Sequence, residues 1–134
     1  MRNQETRELA RPVSGGGAKR FLRRFQASLV VLSGPAAGSE HPLDRHSVSI
    51  GRGPGVDLAF EDPAMSREHA LLELVEDAFR IRDLGSTNGV QINGEAVQVA
   101  DLKHGDRIQL GEHHFQYVLE EQTQTSTTYA LPER

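Results

Sequence analysis

From Gln26 onward no apolar run is longer than a strand, and turn signals break the chain every eight to twelve residues. The longest run, Ala27 to Leu32, is itself broken by Ser28, and nothing after residue 25 sustains a helical stripe beyond two turns. A chain written this way folds into an all-β sandwich or barrel. Strands are expected at 26–33, 46–51, 56–60, 69–75, 78–84, 89–92, 95–98, 106–110 and 113–120. Between them lie Gly34-Pro35, Gly53-Pro54-Gly55, Asp62-Pro63, Glu76-Asp77, Asn93-Gly94 and Gly111-Glu112. Asn93-Gly94 is the firmest hairpin signal, because both central residues of a type I′ turn need φ > 0.

At 134 residues the chain holds one core and two flexible ends. We expect a flexible basic arm at 1–25, a folded body at 26–119 and a flexible threonine-rich tail at 120–134. Within the arm, Ala18 to Phe25 has the makings of a short basic turn of helix. Charge divides along the same lines: +5 over residues 1–25, −7 over 26–119 and −2 over the rest. An acidic body argues against a nucleic-acid surface, which leaves only the arm as a site for such a contact. No apolar run approaches membrane-spanning length, and the basic start lacks the apolar stretch of a secretory signal. A cytoplasmic location is therefore the default expectation. The absence of cysteine excludes disulfides and thiolate chemistry.

The remaining signal lies in polar residues at the strand ends. Gly51-Arg52, Ser66-Arg67-x-His69 and Ser86-Thr87-Asn88-Gly89 put Arg, Ser, Thr and Asn on loops. An Arg guanidinium is always charged and presents a fork of donors suited to phosphate oxygens, and hydroxyls add further donors. The set describes a shallow cationic site for a doubly charged oxyanion, which a phosphorylated side chain supplies. Gly85 and Gly89 serve the turn that carries Thr87 and Asn88. Asp83 and Asp106, short acceptors beside loop N–H groups, read as structural.

Enzyme readings fail on the same residues. Gly51-x-Gly53-x-Gly55 has the wrong spacing for a dinucleotide loop and leads into no helix. There is no Gly-Lys-Ser/Thr phosphate loop and no set of nucleophile, base and orienting group. The histidines have no metal-ligand spacing with carboxylates, and His113 and His114 alternate across a strand. No catalytic residue, metal or cofactor is expected.

Taken in order, Gly51-Arg52, Ser66-Arg67-x-His69, Asp83-Leu84-Gly85-Ser86-Thr87-Asn88-Gly89, Asn93-Gly94 and Gly105-Asp106-Arg107-Ile108 resemble a forkhead-associated (FHA) domain over roughly residues 27–119. The resemblance implies a β-sandwich of two mostly antiparallel sheets, with loops at one end that bind phosphothreonine peptides in Ser/Thr kinase signalling. It implies that Arg52, Ser66 and Thr87 contact phosphate, that Arg67 adds charge or a backbone N–H, and that Asn88 fixes the peptide backbone. Gly51, His69, Gly85 and Gly89 would support those loops, with His69 as a hydrogen-bonded brace. The region of Thr87 would also hold the threonine methyl, favouring phosphothreonine over phosphoserine. The implied partner is a phosphothreonine protein, either a kinase or its substrate. The alternative is a scaffold domain that binds without phosphate.

Two finer expectations follow. Ala64, two residues before Ser66, offers no cation for an acidic residue three positions beyond the phosphothreonine, so an apolar residue is expected there. Thr123, Thr125, Thr127 and Thr128 lie within reach of a kinase, and a phosphorylated tail too short to reach its own loops would associate in trans.

Overall fold

The computed structural model describes residues 16–122. A helix, α1 (Gly16–Arg24), leads into β1 (Phe25–Val31), β2 (Glu40–Pro42), β3 (Ser47–Gly51), β4 (Leu58–Ala59), β5 (Ala70–Val75) and β6 (Ala78–Asp83). Then come β7 (Val90–Ile92), β8 (Glu95–Val97), β9 (Val99–Asp101), β10 (Arg107–Leu110) and β11 (His113–Glu121). One sheet runs β2-β1-β11-β10-β7-β8 and the other β4-β3-β5-β6-β9. Every pairing is antiparallel except the short parallel one of β3 with β4. The fold is a two-sheet sandwich, which the turn spacing allowed beside a barrel and the resemblance implied.

The inner faces meet in one core. Leu29, Phe115, Tyr117, Ile108 and Leu110 from the first sheet face Ile50, Leu72, Leu74, Phe79 and Ile81 from the second, all essentially buried. In β10 the alternation is visible residue by residue, with Arg107 exposed, Ile108 buried, Gln109 intermediate and Leu110 buried. The β7–β8 hairpin turns at Asn93 and Gly94, whose φ values of 53° and 87° are those the dipeptide supplies. Glu76, in the β5–β6 turn, is the other non-glycine residue at positive φ among the described residues.

Two edge strands escape the sequence pattern. β2 is Glu-His-Pro, with no apolar alternation to announce it, and pairs on the outside of β1 where a proline is tolerated. β9 is separated from β8 by Gln98 alone, where the chain leaves one sheet and joins the edge of the other. A single stretch of sequence thus holds two strands.

The expected flexible arm at 1–25 needs correction over its last third. Residues 16–24 form α1, and Phe21 is inserted into the core with 4% of its surface exposed. Its ring lies 5.1 Å from that of Phe25 and 5.8 Å, edge-on, from that of Phe79. An apolar residue on a basic helix turns the segment into a lid over one end of the sandwich. At the other boundary β11 continues to Glu121, opposite Phe25, and Gln122 Nε2 donates to the carbonyls of Leu22 and Phe25. Residues 1–15 and the tail threonines fall outside the described residues. Among the described residues no helix is long and apolar enough to cross a membrane.

Two substitutions test this core. Removing the Phe21 ring opens a cavity, so Phe21→Ala should cost about 3 kcal/mol in denaturant unfolding. The Tyr117 hydroxyl is buried with no hydrogen-bond partner among the described residues, and burial pushes its pKa above the ordinary tyrosine range. Tyr117→Phe should therefore match or exceed the parent stability, by up to about 1 kcal/mol.

Candidate functional site

Strand ends deliver the polar loop residues to one end of the sandwich. β3 ends at Gly51 and hands Arg52 to the loop, β5 begins at Ala70 just after Ser66, Arg67 and His69, and β6 and β7 flank Thr87 and Asn88. Arg52, Ser66, Arg67, Thr87 and Asn88 line a single depression of about 270 Å³, with Pro63, Ala64 and Met65 as its remaining wall. A larger cavity of about 750 Å³ lies at the far end of the sandwich, between α1 and Gln122, and shares no residue with these loops.

The loops are locked by hydrogen bonds between residues distant in sequence. His69 is fully buried. Its Nδ1 accepts the Ser66 N–H at 3.0 Å, so Nε2 carries the proton and donates to the Gly89 carbonyl at 2.8 Å. The histidine thus ties the two loops together, the position that the resemblance gave it. Ser66 Oγ accepts the Thr87 N–H at 2.9 Å, and Asn88 Nδ2 donates to the Ala64 carbonyl at 2.8 Å. Within the second loop, Asp83 Oδ1 accepts from Ser86 N–H and Ser86 Oγ accepts from Gly89 N–H, both at 2.9 Å. Gly85 and Gly89 have φ of 76° and 81°, the left-handed backbone this turn requires. Asp106 is likewise structural, accepting from the Lys103 N–H and from Asn93 Nδ2.

These bonds leave specific atoms free. Arg52 Nε donates to the Met65 carbonyl at 3.0 Å, which aims the guanidinium and leaves its two terminal nitrogens without a partner among the described residues. Ser66 Oγ is used as an acceptor, so its own proton remains to donate. Asn88 keeps its carbonyl oxygen. Thr87 and Asn88 are exposed, as are Arg52 and Arg67. The depression therefore presents two cations, hydroxyl donors and one amide acceptor on a braced backbone, without a nucleophile–base pair. Among the described residues no cluster of three or more histidines and carboxylates could hold a metal.

Gly51 has a role the sequence assigned only by resemblance. Its φ is ordinary, but a Cβ there would lie 1.9 Å from the Arg67 carbonyl oxygen. The Arg52 and Gly53 N–H groups donate to the carbonyls of Ser66 and Arg67, so the two loops run side by side with space only for glycine.

Sequence reasoning read Asp62 as a turn residue, which it is, its main-chain carbonyl accepting the Met65 N–H, but missed its long-range role. The carboxylate is buried, with Oδ1 accepting the Ala64 N–H at 2.9 Å. Oδ2 accepts the Glu112 N–H at 2.8 Å and His113 Nδ1 at 2.9 Å. It thus ties the wall of the depression to the β10–β11 turn. No local signal reveals this, since two of its partners lie some fifty positions away. Burial alone would raise its pKa, but the His113, Glu112 and Ala64 hydrogen bonds together outweigh that and hold it below the ordinary carboxylate range.

With this geometry established, comparison with known proteins gives one family. The FHA domain profile matches residues 48–111. The glycogen accumulation regulator GarA of Mycolicibacterium smegmatis is 43% identical over 86 residues, covering 64% of this chain and 54% of GarA. The chain thus spans about half the length of such relatives. The oxoglutarate dehydrogenase inhibitor of Corynebacterium glutamicum is 34% identical over 112 residues, covering 84% of this chain and 77% of the inhibitor. A solved structure from an analysis of phosphothreonine-dependent FHA domain interactions superposes with a TM-score of 0.64 at 30% identity, over 69% of this chain and 95% of that one.

The Asp62 anchor makes a pH-dependent prediction. A carboxylate whose folded pKa lies below its unfolded value of about 3.9 stabilises fully above that pH and loses the effect as pH falls through the folded value. Asp62→Asn would turn an acceptor into a donor facing N–H groups and should cost about 1–3 kcal/mol at pH 7. In urea titrations at several pH values, the gap between the two proteins should narrow below about pH 4.

Proposed function

This chain belongs to the FHA domain family, and from that premise we propose that it is a non-catalytic module that binds phosphothreonine peptides and proteins in Ser/Thr kinase signalling. The supporting observation is the shared depression of Arg52, Ser66, Arg67, Thr87 and Asn88, with donors left free after the loops have satisfied one another. Its pre-set geometry reduces the ordering cost of binding. Phosphate sits against the terminal nitrogens of Arg52, the Ser66 hydroxyl proton and the Thr87 hydroxyl, with Arg67 adding charge from the rim. The Asn88 carbonyl oxygen accepts a peptide N–H and sets the direction of the chain. The threonine methyl rests beside Thr87, so phosphoserine binds more weakly by roughly 1–3 kcal/mol. The partner is a phosphothreonine-bearing kinase or kinase substrate.

Calorimetry decides this reading. A phosphothreonine peptide should bind with micromolar affinity, about −8 kcal/mol, and its unphosphorylated form should not bind measurably. Arg52→Ala should lose about 1.5–3 kcal/mol, roughly 10- to 150-fold in Kd, with an unchanged circular dichroism spectrum. Equal binding by Arg52→Ala and the parent protein would refute the site.

The module also self-associates when Thr128 is phosphorylated. β11 runs its 9 residues from His113 at the loop end to Glu121 at the α1 end, a rise of about 27 Å. Seven further residues, Gln122 to Thr128, reach at most about 25 Å, too short to return to the Arg52 depression of the same copy. A phosphorylated tail therefore engages a second copy. Light scattering on protein phosphorylated at Thr128 should show dimers or longer chains, which Arg52→Ala dissolves; a strict monomer at high concentration would refute the trans contact.

A further inference from the structure

Beyond Pro63, which forms part of the wall of the Arg52 depression, lies a second and larger groove of about 500 Å³. Three loops at the same end of the sandwich form it: Ser33–Ala36 after β1, Ala59–Pro63 after β4, and Glu112–His113 at the β10–β11 turn. Its apolar lining includes Pro35, Ala36 and Pro63, together with Phe60. The Phe60 ring is only partly buried and packs on His41, His113 and Phe115 at centroid distances of 5.1–5.4 Å. Glu61 and Glu112 also line it; both are exposed and neither has a cationic partner among the described residues. No Lys or Arg lines the groove, and the facing His113 has its Nδ1 engaged by Asp62. The two sites share a foundation, since Asp62 holds Ala64 on one side and Glu112 and His113 on the other.

The loop end is thus bipolar, with cations around the phosphate depression and an apolar, acid-rimmed groove immediately beyond Pro63. We infer that this groove takes a Lys or Arg side chain of the same phosphothreonine ligand, a few residues from the phosphate. Such a side chain lays its aliphatic stem on Phe60 and the prolines and brings its charge to Glu61 and Glu112. A ligand acid meets two unpaired carboxylates there. A purely apolar residue covers the floor but leaves the acidic rim unanswered, and burying apolar surface beside unpaired charge is the poorer match. This inference rests on the phosphothreonine reading above and adds to it the charge of the flanking sequence. It concerns a different surface from Ala64, which lines the Arg52 depression and not this groove.

The test is fluorescence polarisation on phosphothreonine peptides with an alanine background, in which Lys, Leu or Glu is moved through the four positions on either side of the phosphothreonine. At one position Lys should bind about fivefold or more tighter than Ala, and Glu weaker than Ala. The Glu61→Gln/Glu112→Gln double variant should lose that preference while binding the all-alanine phosphopeptide as before. Equal affinity for Lys, Ala and Glu at every position would overturn the inference, as would a preference for Leu over Lys. A Lys advantage spread evenly over all positions, or one that survives in the double variant, would also overturn it, because the net acidic surface would then be the cause. Failure of the parent reading looks different: the all-alanine phosphopeptide would bind no better than its unphosphorylated form, and both proposals would fall together.

Discussion

The loop end depends on one buried imidazole. His69 satisfies the Ser66 N–H with one nitrogen and the Gly89 carbonyl with the other, so two segments twenty residues apart are held in fixed relation. Both bonds are part-buried, and a backbone group shut away from water without a partner costs about 1–3 kcal/mol. The histidine is thus part of the fold before it is part of any site. Because its two bonds fix the backbones of Ser66 and Gly89, the Ser66 hydroxyl and the Thr87 N–H between them meet at 2.9 Å. The Ser66 hydroxyl has its position through that link, whereas Arg52 is aimed by the Met65 carbonyl.

Asp62 performs the same service on the neighbouring side, and the two anchors divide the work. His69 joins the loop after β4 to the loop after β6, whereas Asp62 joins it to the β10–β11 turn. The segment from Asp62 to His69 is therefore pinned at both ends, with Ser66 and Arg67 between. Its middle is further confined by the strand-like pairing with Arg52 and Gly53, so close that a Cβ on Gly51 would overlap the Arg67 carbonyl. Rigid placement matters for the proposed site because Arg52, Arg67, Thr87 and Asn88 are exposed, and exposed charges discriminate only when their geometry is fixed beforehand. The opposite end is closed by apolar contact instead, through Phe21, Phe25 and Phe79. Stability at one end and recognition at the other thus draw on different interactions.

Much of this was legible in the chain. Period-two patterning with frequent turn residues is a local signal, so the main strands stood out, and Asn93-Gly94 marked its hairpin because few other dipeptides tolerate that backbone. Arg52, Ser66, Arg67, Thr87 and Asn88 converged as the ordered motifs implied. What stayed hidden was whatever depends on a partner far away in sequence. β2 and β9 are strands only because β1 and β6 offer them an edge. Phe21 reads as one apolar residue in a basic arm until the core supplies a place for it.

The amino-acid sequence by itself determined the class of fold, the turns, the charge division and the identity of the polar residues at the loop end, because each is written in residue type and short-range spacing. Tertiary structure decided which atoms of those residues remain free, that Asp62 is an anchor as well as a turn residue, that Gly51 answers to crowding and not to φ, and that an acid-rimmed groove adjoins the Arg52 depression. Those properties arise from hydrogen bonds and contacts between segments about thirteen to fifty residues apart. No local pattern encodes them, since a hydrogen-bonding atom becomes free or engaged only when the folded chain brings its partner within about 3 Å.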